Sequence, residues 1–247
     1  MRHAERRVQT IGEFVTALRD TAGGLVWYRG QARADWPLLP SLARQPDGVR
    51  AELITIKRFK QNAAPFLAAR PADEWEWVFL MQHHRAPTRL LDWSESPLVA
   101  MFFALWDSGH EESDAAVWCL DPIALNHHAG HRRRHERDIL AFSIDREMDD
   151  YLPDNVNERV APHNPVAAIG PRNSVRMVAQ AGTFTVIHAD ATPIEAVSDN
   201  QNHIWKLVVP AASKALLRSE LTLLGITEHS LFPDLDRVAV LAREMIQ

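Results

Sequence analysis

Apolar residues recur at helical spacing along several stretches of the chain. A capping-box pattern at Thr10 and Glu13 predicts a short amphipathic helix over the residues before Gly23. Ser96 as N-cap and Pro97 at the first helical position precede a run that is apolar nearly all round, which predicts a buried helix. Besides the helix before Gly23, helices are predicted at residues 49–69, 73–83, 97–107, 211–224 and 234–246.

Short apolar runs between these helices predict buried strands at residues 25–28, 88–93, 115–120, 175–179, 183–188 and 203–209, whereas residues 126–138 predict a polar surface segment. Strands and helices follow one another without a regular βαβ rhythm. We therefore predict an α+β fold with mixed, mostly antiparallel sheets and packed helices. No repeat or low-complexity linker divides the sequence, so residues 1–247 are predicted to form a single domain.

Composition narrows the classes of function. The formal net charge of −5 argues against a surface that binds nucleic acid as a whole. The only lysines are Lys57, Lys60, Lys206 and Lys214, so the other 23 of the 27 basic residues are arginines. Arginine is the better bidentate partner of phosphate and carboxylate, although a GC-rich genome gives the same bias.

The remaining features of the composition bear on the cellular compartment in which the protein works. The only cysteine, Cys119, excludes an internal disulfide and the cysteine clusters of structural zinc sites. The polar N-terminus lacks the apolar core of a signal peptide, and no apolar run reaches the roughly 18–20 residues of a membrane span. We expect a cytoplasmic protein without a membrane partner.

Two segments concentrate candidate chemistry. In residues 27–31, WYRGQ, an arginine at a strand end would present its guanidinium to a pyrophosphate, ribose or carboxylate, while Gly30 would let a ligand approach the backbone. The alternative is a buried Arg29 that pairs with Asp92 or Asp35.

Residues 82–96 hold a second group, and the helix start after Ser96 offers backbone N–H groups to an anion. Its polar members are His83, His84, Arg85, Arg89, Asp92, Ser94 and Ser96. Alternatively, Ser96 only caps the helix and Asp92 only pairs with Arg89.

Two further groups are more ambiguous. His127, His131 and His135 would align on a helix, but a glycine interrupts the segment and three arginines would repel a metal ion, so no metal site is expected. A solvated loop or a phosphate contact are the alternatives. In residues 176–184, Gln180 before Gly182 either places an amide in a cleft or forms a turn between two strands.

Four ordered motifs resemble the FRG domain, a family named for its Phe/Tyr-Arg-Gly motif. They are WYRGQ at 27–31, HHRAPTRLLDWSESPLVAMFFAL at 83–105, QAGTF at 180–184 and SLFPDLD at 230–236. The resemblance spans residues 10 to 245. It implies a bacterial or phage-type domain of the kind often found in mobile or defence-related loci.

A weaker resemblance implies a mechanism. Tyr28-Arg29-Gly30 and the Ser-x-Ser element at Ser94 and Ser96 are similar to two motifs of arginine-type ADP-ribosyltransferases, whose strands form a split sheet. In that family the arginine and serine organise NAD, and a glutamate holds the ribose and steadies an oxocarbenium-like transition state. Gly182 occupies the expected place of that glutamate, which leaves Glu220 or Glu228 as replacements, a reaction without an acid, or a site that only binds.

Three functions follow as hypotheses. The first is an NAD-using, ADP-ribosyltransferase-like enzyme, such as a toxin or antiphage effector, that modifies a protein or nucleic acid without a metal ion. Its expected catalytic residues are Arg29, Ser94, Gln180 and Glu228. Its expected NAD-binding residues are Tyr28, Arg29, Gly30, Gln31, His84, Arg89, Asp92, Ser94 and Ser96. The others are a non-catalytic nucleotide- or nucleic-acid-binding module, and a metal-independent nuclease with His83 or His84 as general base.

Overall fold

The fold consists of strands and helices that alternate irregularly along the chain. A computed structural model describes residues 1–21, 23–132, 135, 137–156, 163–235, 239 and 242–243. The strands are β1 (Arg6–Arg7), β2 (Trp27–Gln31), β3 (Leu90–Ser94), β4 (Ala115–Leu120), β5 (Leu140–Ala141), β6 (Val166–Ile169), β7 (Gly182–Val186) and β8 (Ile204–Val209). The α-helices are α1 (Ile11–Thr21), α2 (Gly48–Ala63), α3 (Glu74–His83), α4 (Pro97–Leu105), α5 (Pro122–His128), α6 (Val175–Ala179), α7 (Lys214–Leu223) and α8 (Glu228–Leu231).

All described strands join one mixed sheet in the order β1-β8-β4-β2-β3-β7-β6-β5. Only β1–β8 and β5–β6 pair in parallel, which confirms the predicted α+β class with mostly antiparallel pairing. The sheet is continuous rather than fully split. However, Tyr28 opposite Ser94 is the only residue pair in register between β2 and β3, so two four-stranded halves meet at a single point.

Helix α4 crosses this junction. Ser96 caps it as predicted, because its Oγ accepts a hydrogen bond from the N–H of Val99 and Pro97 follows at the first helical position. Met101 and Ala104 pack into a core cluster with β4 and β8. The helix therefore fastens the first half of the sheet beside the start of the second half.

Several predicted elements differ from the structure. The strand predicted at 175–179 is wrong: these residues form α6, because Ser174 caps them by accepting from the N–H of Met177 and leaves Val175 and Val178 exposed. Strand β2 extends to Gln31, so Arg29 and Gly30 lie inside the strand rather than at its end.

The remaining differences concern the helices. The long helix predicted at 49–69 ends at Ala63 and continues as a single 3₁₀ turn. The predicted polar segment 126–138 begins inside α5, where the buried Asn126 side chain pairs with the backbone of Ala167. Most of the helix predicted at 234–246 lies outside the described residues, as do three residues of the histidine-containing segment. No helix in the described part of the chain has both the length and the apolar composition to cross a membrane.

Candidate functional site

A cavity of about 740 Å³ opens where the two halves of the sheet diverge. Its wall is formed by β2, by the end of β3, by α3 and α4, and by the segment around α6. Within the described wall, the arginines are Arg29, Arg44, Arg70 and Arg176, and the carboxylates are Glu76, Asp92 and Asp107. The aromatic residues are Tyr28, Trp36, Phe79, Trp93, Phe103 and Phe184. The cavity thus concentrates positive charge beside aromatic rings in a chain whose net charge is −5.

Arg29 extends from the centre of β2 toward the other half of the sheet. Its Nη1 donates to the main-chain oxygen of Asp92 at 2.6 Å, whereas its buried Nε has no hydrogen-bond partner among the described residues. Burial lowers the pKa of Arg29 to about 10, with Asp92 acting in the opposite direction and Arg44 adding to the lowering. The guanidinium therefore stays charged at pH 7 and retains a donor for an additional acceptor.

Asp92 lies on β3 as an exposed residue in an otherwise buried strand. Its Oδ2 accepts from Nε2 of Gln82 on α3 at 2.8 Å. The Gln82 Oε1 in turn accepts from the hydroxyl of the buried Thr88. Thus a carboxylate at the cavity wall is held by Gln82, and Gln82 is in turn held by Thr88.

The two residues that resemble catalytic groups of ADP-ribosyltransferases are committed to the scaffold. Ser94 Oγ donates to the main-chain oxygen of Gln180 at 2.7 Å and accepts from the N–H of Ser96 at 2.9 Å. Gln180 ends α6 rather than a strand, and its Nε2 donates to the main-chain oxygen of Leu231 at 3.0 Å. Both residues line the cavity, but their described bonds tie β3, α4, α6 and α8 together.

Gly30 has a packing role that the sequence did not indicate. A Cβ added at this position would lie 1.9 Å from the main-chain oxygen of Ala100 and 2.4 Å from the nitrogen of Ala104. The glycine is therefore required because α4 crosses β2 at close range. Gly30 also lines the cavity, so the expectation that a ligand approaches its backbone stays a prediction, although helix backbone fills the space on its Cβ side.

Arg89, expected to bind NAD, lies outside the cavity wall and is 1% exposed. Its guanidinium forms an ion pair with the buried Glu52 and donates to the main-chain oxygens of Tyr151 and Ile187. Protein groups therefore occupy the donors of this buried guanidinium, so Arg89 is part of the scaffold.

Other residues that the sequence assigned to the site either lie outside the cavity wall or have their polar groups occupied by the protein. Ser96 and Glu228 do not line the cavity, and the Glu220 carboxylate accepts from the N–H of Ile11 at 2.7 Å. Gln31 lines the cavity, but its amide accepts from the indole N–H of Trp118 at 2.8 Å and donates to the main-chain oxygen of Pro37. The replacements proposed for the missing glutamate are therefore not in the wall.

His83 and His84 end α3 at the cavity, with their rings edge to face at 5.0 Å between centroids. Burial lowers the pKa of His83, with further lowering by His84 and Arg176, so this imidazole is neutral at pH 7. No group of three His, Cys, Asp or Glu side chains in the described ranges is arranged to hold a metal ion.

Sequence reasoning missed several residues of the wall. Arg44 is the last residue of a 3₁₀ turn, and its Nε donates to the main-chain oxygen of Leu39 at 3.0 Å. Arg70 and Trp36 lie in irregular segments without a motif. Arg176, by contrast, belongs to the group at 176–184 that the sequence indicated, and it stacks over the ring of Phe232 at 4.8 Å. For Arg44 and Arg70, the excess of arginine over lysine was the only available signal, and it gave no positions.

The comparisons with known proteins agree with part of this picture. Residues 24–113 match the FRG domain, and this match includes β2, Asp92, Ser94 and α4. No curated protein and no solved structure matches the chain. The matched segment covers less than half of the 247 residues and excludes the motifs at 180–184 and 230–236. Over residues 24–113, the resemblance to the FRG domain that the sequence indicated is confirmed by this match.

Proposed function

We propose that this cavity binds NAD and that the protein is an ADP-ribosyltransferase-like enzyme. The observation that carries the proposal is the Arg29 guanidinium in the cavity wall, because it has one described hydrogen bond, to the main-chain oxygen of Asp92, and five N–H donors in all. Oxygens of a nucleotide diphosphate suit this position. Arg44, Arg70 and Arg176 surround the same space and supply further positive charge.

The size and lining of the cavity support a dinucleotide. A volume of about 740 Å³ falls within the roughly 300–1,000 Å³ of small-molecule sites. Trp36 and Phe103 are half-buried aromatic residues of the wall that can contact the flat nicotinamide and adenine rings. Ser94 and Gln180 then act by holding β3, the start of α4 and the segment between α6 and β7 together around the ligand.

The direct test is nicotinamide release from NAD by the purified chain. Arg29→Ala removes charge-assisted hydrogen bonds, and a loss of about 2–3 kcal/mol lowers NAD affinity by about 30- to 150-fold. We therefore expect release at subsaturating NAD to fall by that factor. The matched control is Arg50→Ala, because Arg50 is 81% exposed and outside the cavity.

The outcomes separate the proposal from its alternatives. Release that requires Arg29 but not Arg50 supports NAD cleavage and leaves the acceptor, protein or nucleic acid, to be identified. Binding of NAD without release, alone or with cell extract, would favour the non-catalytic module, which is consistent with Gly182 in the place of the glutamate.

A second candidate function rests on the two histidines of the wall. His83 is neutral at pH 7 because its pKa is lowered, which suits a general base, and Arg176 lies close enough to contribute to that lowering. This arrangement would serve a metal-independent nuclease. RNA cleavage in EDTA that His83→Ala abolishes, together with absence of NAD binding, would favour it over the first proposal.

A further inference from the structure

The missing glutamate leaves the site without an assigned carboxylate. Position 182 begins β7 opposite Ser94, and a Cβ there would meet nothing closer than the main-chain oxygen of Met177 at 3.8 Å. Sterics therefore do not explain the glycine. A carboxylate that serves the reaction has to come from elsewhere in the wall.

We infer that Asp92 is the catalytic carboxylate of this site, with Gln82 and Thr88 as positioning residues. The inference rests on the proposed NAD-cleaving function. Glu76 and Asp107, the other carboxylates of the described wall, accept from the nearby backbone N–H groups of Ala72 and Gly109. Asp92 differs because a side chain from another element, Gln82 of α3, donates to its carboxylate.

The hydrogen bonds of this group have a defined direction. The N–H of Leu90 donates to Thr88 Oγ1 at 3.2 Å, which leaves the hydroxyl proton for Gln82 Oε1. The amide of Gln82 must then turn its NH₂ group toward Asp92 Oδ2, at 2.8 Å. This contact fixes the orientation of the Asp92 carboxyl group on one side through Gln82 and the buried Thr88.

Two arginines of the cavity wall lie near Asp92. Its main-chain oxygen binds the Arg29 guanidinium at 2.6 Å. Arg176, from the segment before β7, is near enough that the Asp92 charge opposes the lowering of its pKa by burial. Asp92 is thus a negative charge between two arginines, at the point where a diphosphate and its attached ribose would meet the wall.

The chemistry that this carboxylate would serve is the transfer of ADP-ribose to water or to a hydroxyl acceptor. The bond between ribose C1′ and the nicotinamide nitrogen breaks, and its electron pair goes to that nitrogen. A bond forms between C1′ and the acceptor oxygen, whose proton passes to Asp92 and then to solvent. The negative charge of Asp92 also stabilises the positive charge that develops on the ribose.

The isosteric variant Asp92→Asn tests the inference, because asparagine can still accept from Gln82 and should leave the fold intact. We expect nicotinamide release to fall by about 100- to 1,000-fold, the usual effect of removing one electrostatic group from an active site. Calorimetric affinity for ADP-ribose should stay equal or become tighter, because a negative charge near the bound diphosphate is removed. The matched control is Asp20→Asn, an exposed carboxylate paired with Arg6.

A second variant tests the positioning residues. Gln82→Leu leaves the carboxylate in place but removes its orienting donor, so kcat should fall by about tenfold or more while KM for NAD changes little. A residue with only a structural role would change both, through the amount of folded protein.

Each outcome decides between the claims. Release by Asp92→Asn within about fivefold of wild type, or a parallel loss of ADP-ribose binding, overturns the role of Asp92 and leaves the proposed function standing. Absence of nicotinamide release from the wild-type protein overturns the proposed function and this inference together.

Discussion

The buried ion pair between Arg89 and Glu52 gives the sharpest test of the division between scaffold and site. Both side chains are 2% exposed, and Arg89 also donates to the main-chain oxygens of Tyr151 at 2.8 Å and Ile187 at 3.3 Å. Arg89→Met removes every one of these donors and leaves the Glu52 carboxylate buried without its partner. Breaking a buried pair in this way costs about 3–5 kcal/mol.

A double-mutant cycle isolates the pair itself. Glu52→Met in the Arg89→Met background removes the stranded carboxylate, so the double variant should be more stable than the sum of the two single losses predicts. We expect a coupling of about 2–3 kcal/mol. Part of the loss should remain, because the oxygens of Tyr151 and Ile187 still lack a donor.

Urea unfolding followed by tryptophan fluorescence measures these differences, and the chain carries eight tryptophans for the signal. Two results would refute the scaffold role of Arg89. One is a loss of less than about 1 kcal/mol in Arg89→Met, which is too small for a broken buried pair. The other is strict additivity in the cycle. A folded Arg89→Met variant that loses NAD binding would restore the site role expected from the sequence.

Three further predictions follow from burial. Gly30→Ala should destabilise the protein by about 3 kcal/mol or more in urea unfolding, because its Cβ would overlap the backbone of α4; a change below about 1 kcal/mol would contradict the close crossing. Cys119 is fully buried and burial raises its pKa, so a thiol reagent should modify it only after unfolding, and fast modification of the native protein would refute this. Burial lowers the pKa of His188 and His203, so the unfolded state binds their protons more readily and stability should fall as the pH drops below about 6.5. His188→Gln should reduce the shift of the urea midpoint between pH 7 and pH 5, and an equal shift in both proteins would exclude His188 as a source.

The parts of the fold that the sequence predicted are those with a local signal. Ser96 and Pro97 specify the start of α4 through one cap and one fixed dihedral angle. The six residues of β4 form a buried apolar run that is bounded by an aspartate on each side. Such features need no knowledge of distant residues.

The failures have two causes, which are an ambiguous local signal and a dependence on distant contacts. Residues 175–179 contain valines that favour a strand, and the cap by Ser174 was overlooked because it differs from a turn residue only in its geometry. Arg89 belonged to a promising motif, but its partner Glu52 lies 37 residues earlier on another element. Side chains alternate between the two faces of an extended chain, so Arg89 and Asp92 point to opposite faces. This alternation already argued against a single site that contains both.

The site was predicted in part for a similar reason. Arg29, Asp92 and Ser94 belong to two compact motifs, and the structure brings them together at the junction of β2 and β3. Arg44 comes from a short 3₁₀ turn and Arg70 from an irregular segment, and the position of both in space depends on the whole fold. A single sequence therefore indicated the centre of the cavity and left most of its rim unidentified.

The central claim is that Arg29 binds a nucleotide diphosphate in this cavity, and a calorimetric titration with ADP-ribose tests it most directly. The wild-type protein and the exposed control Arg50→Lys should bind alike. Arg29→Lys should bind at least about tenfold more weakly, because an ammonium group cannot replace the forked donors of a guanidinium. Absence of binding by the wild-type protein, or equal affinity in wild type and Arg29→Lys, would contradict the claim.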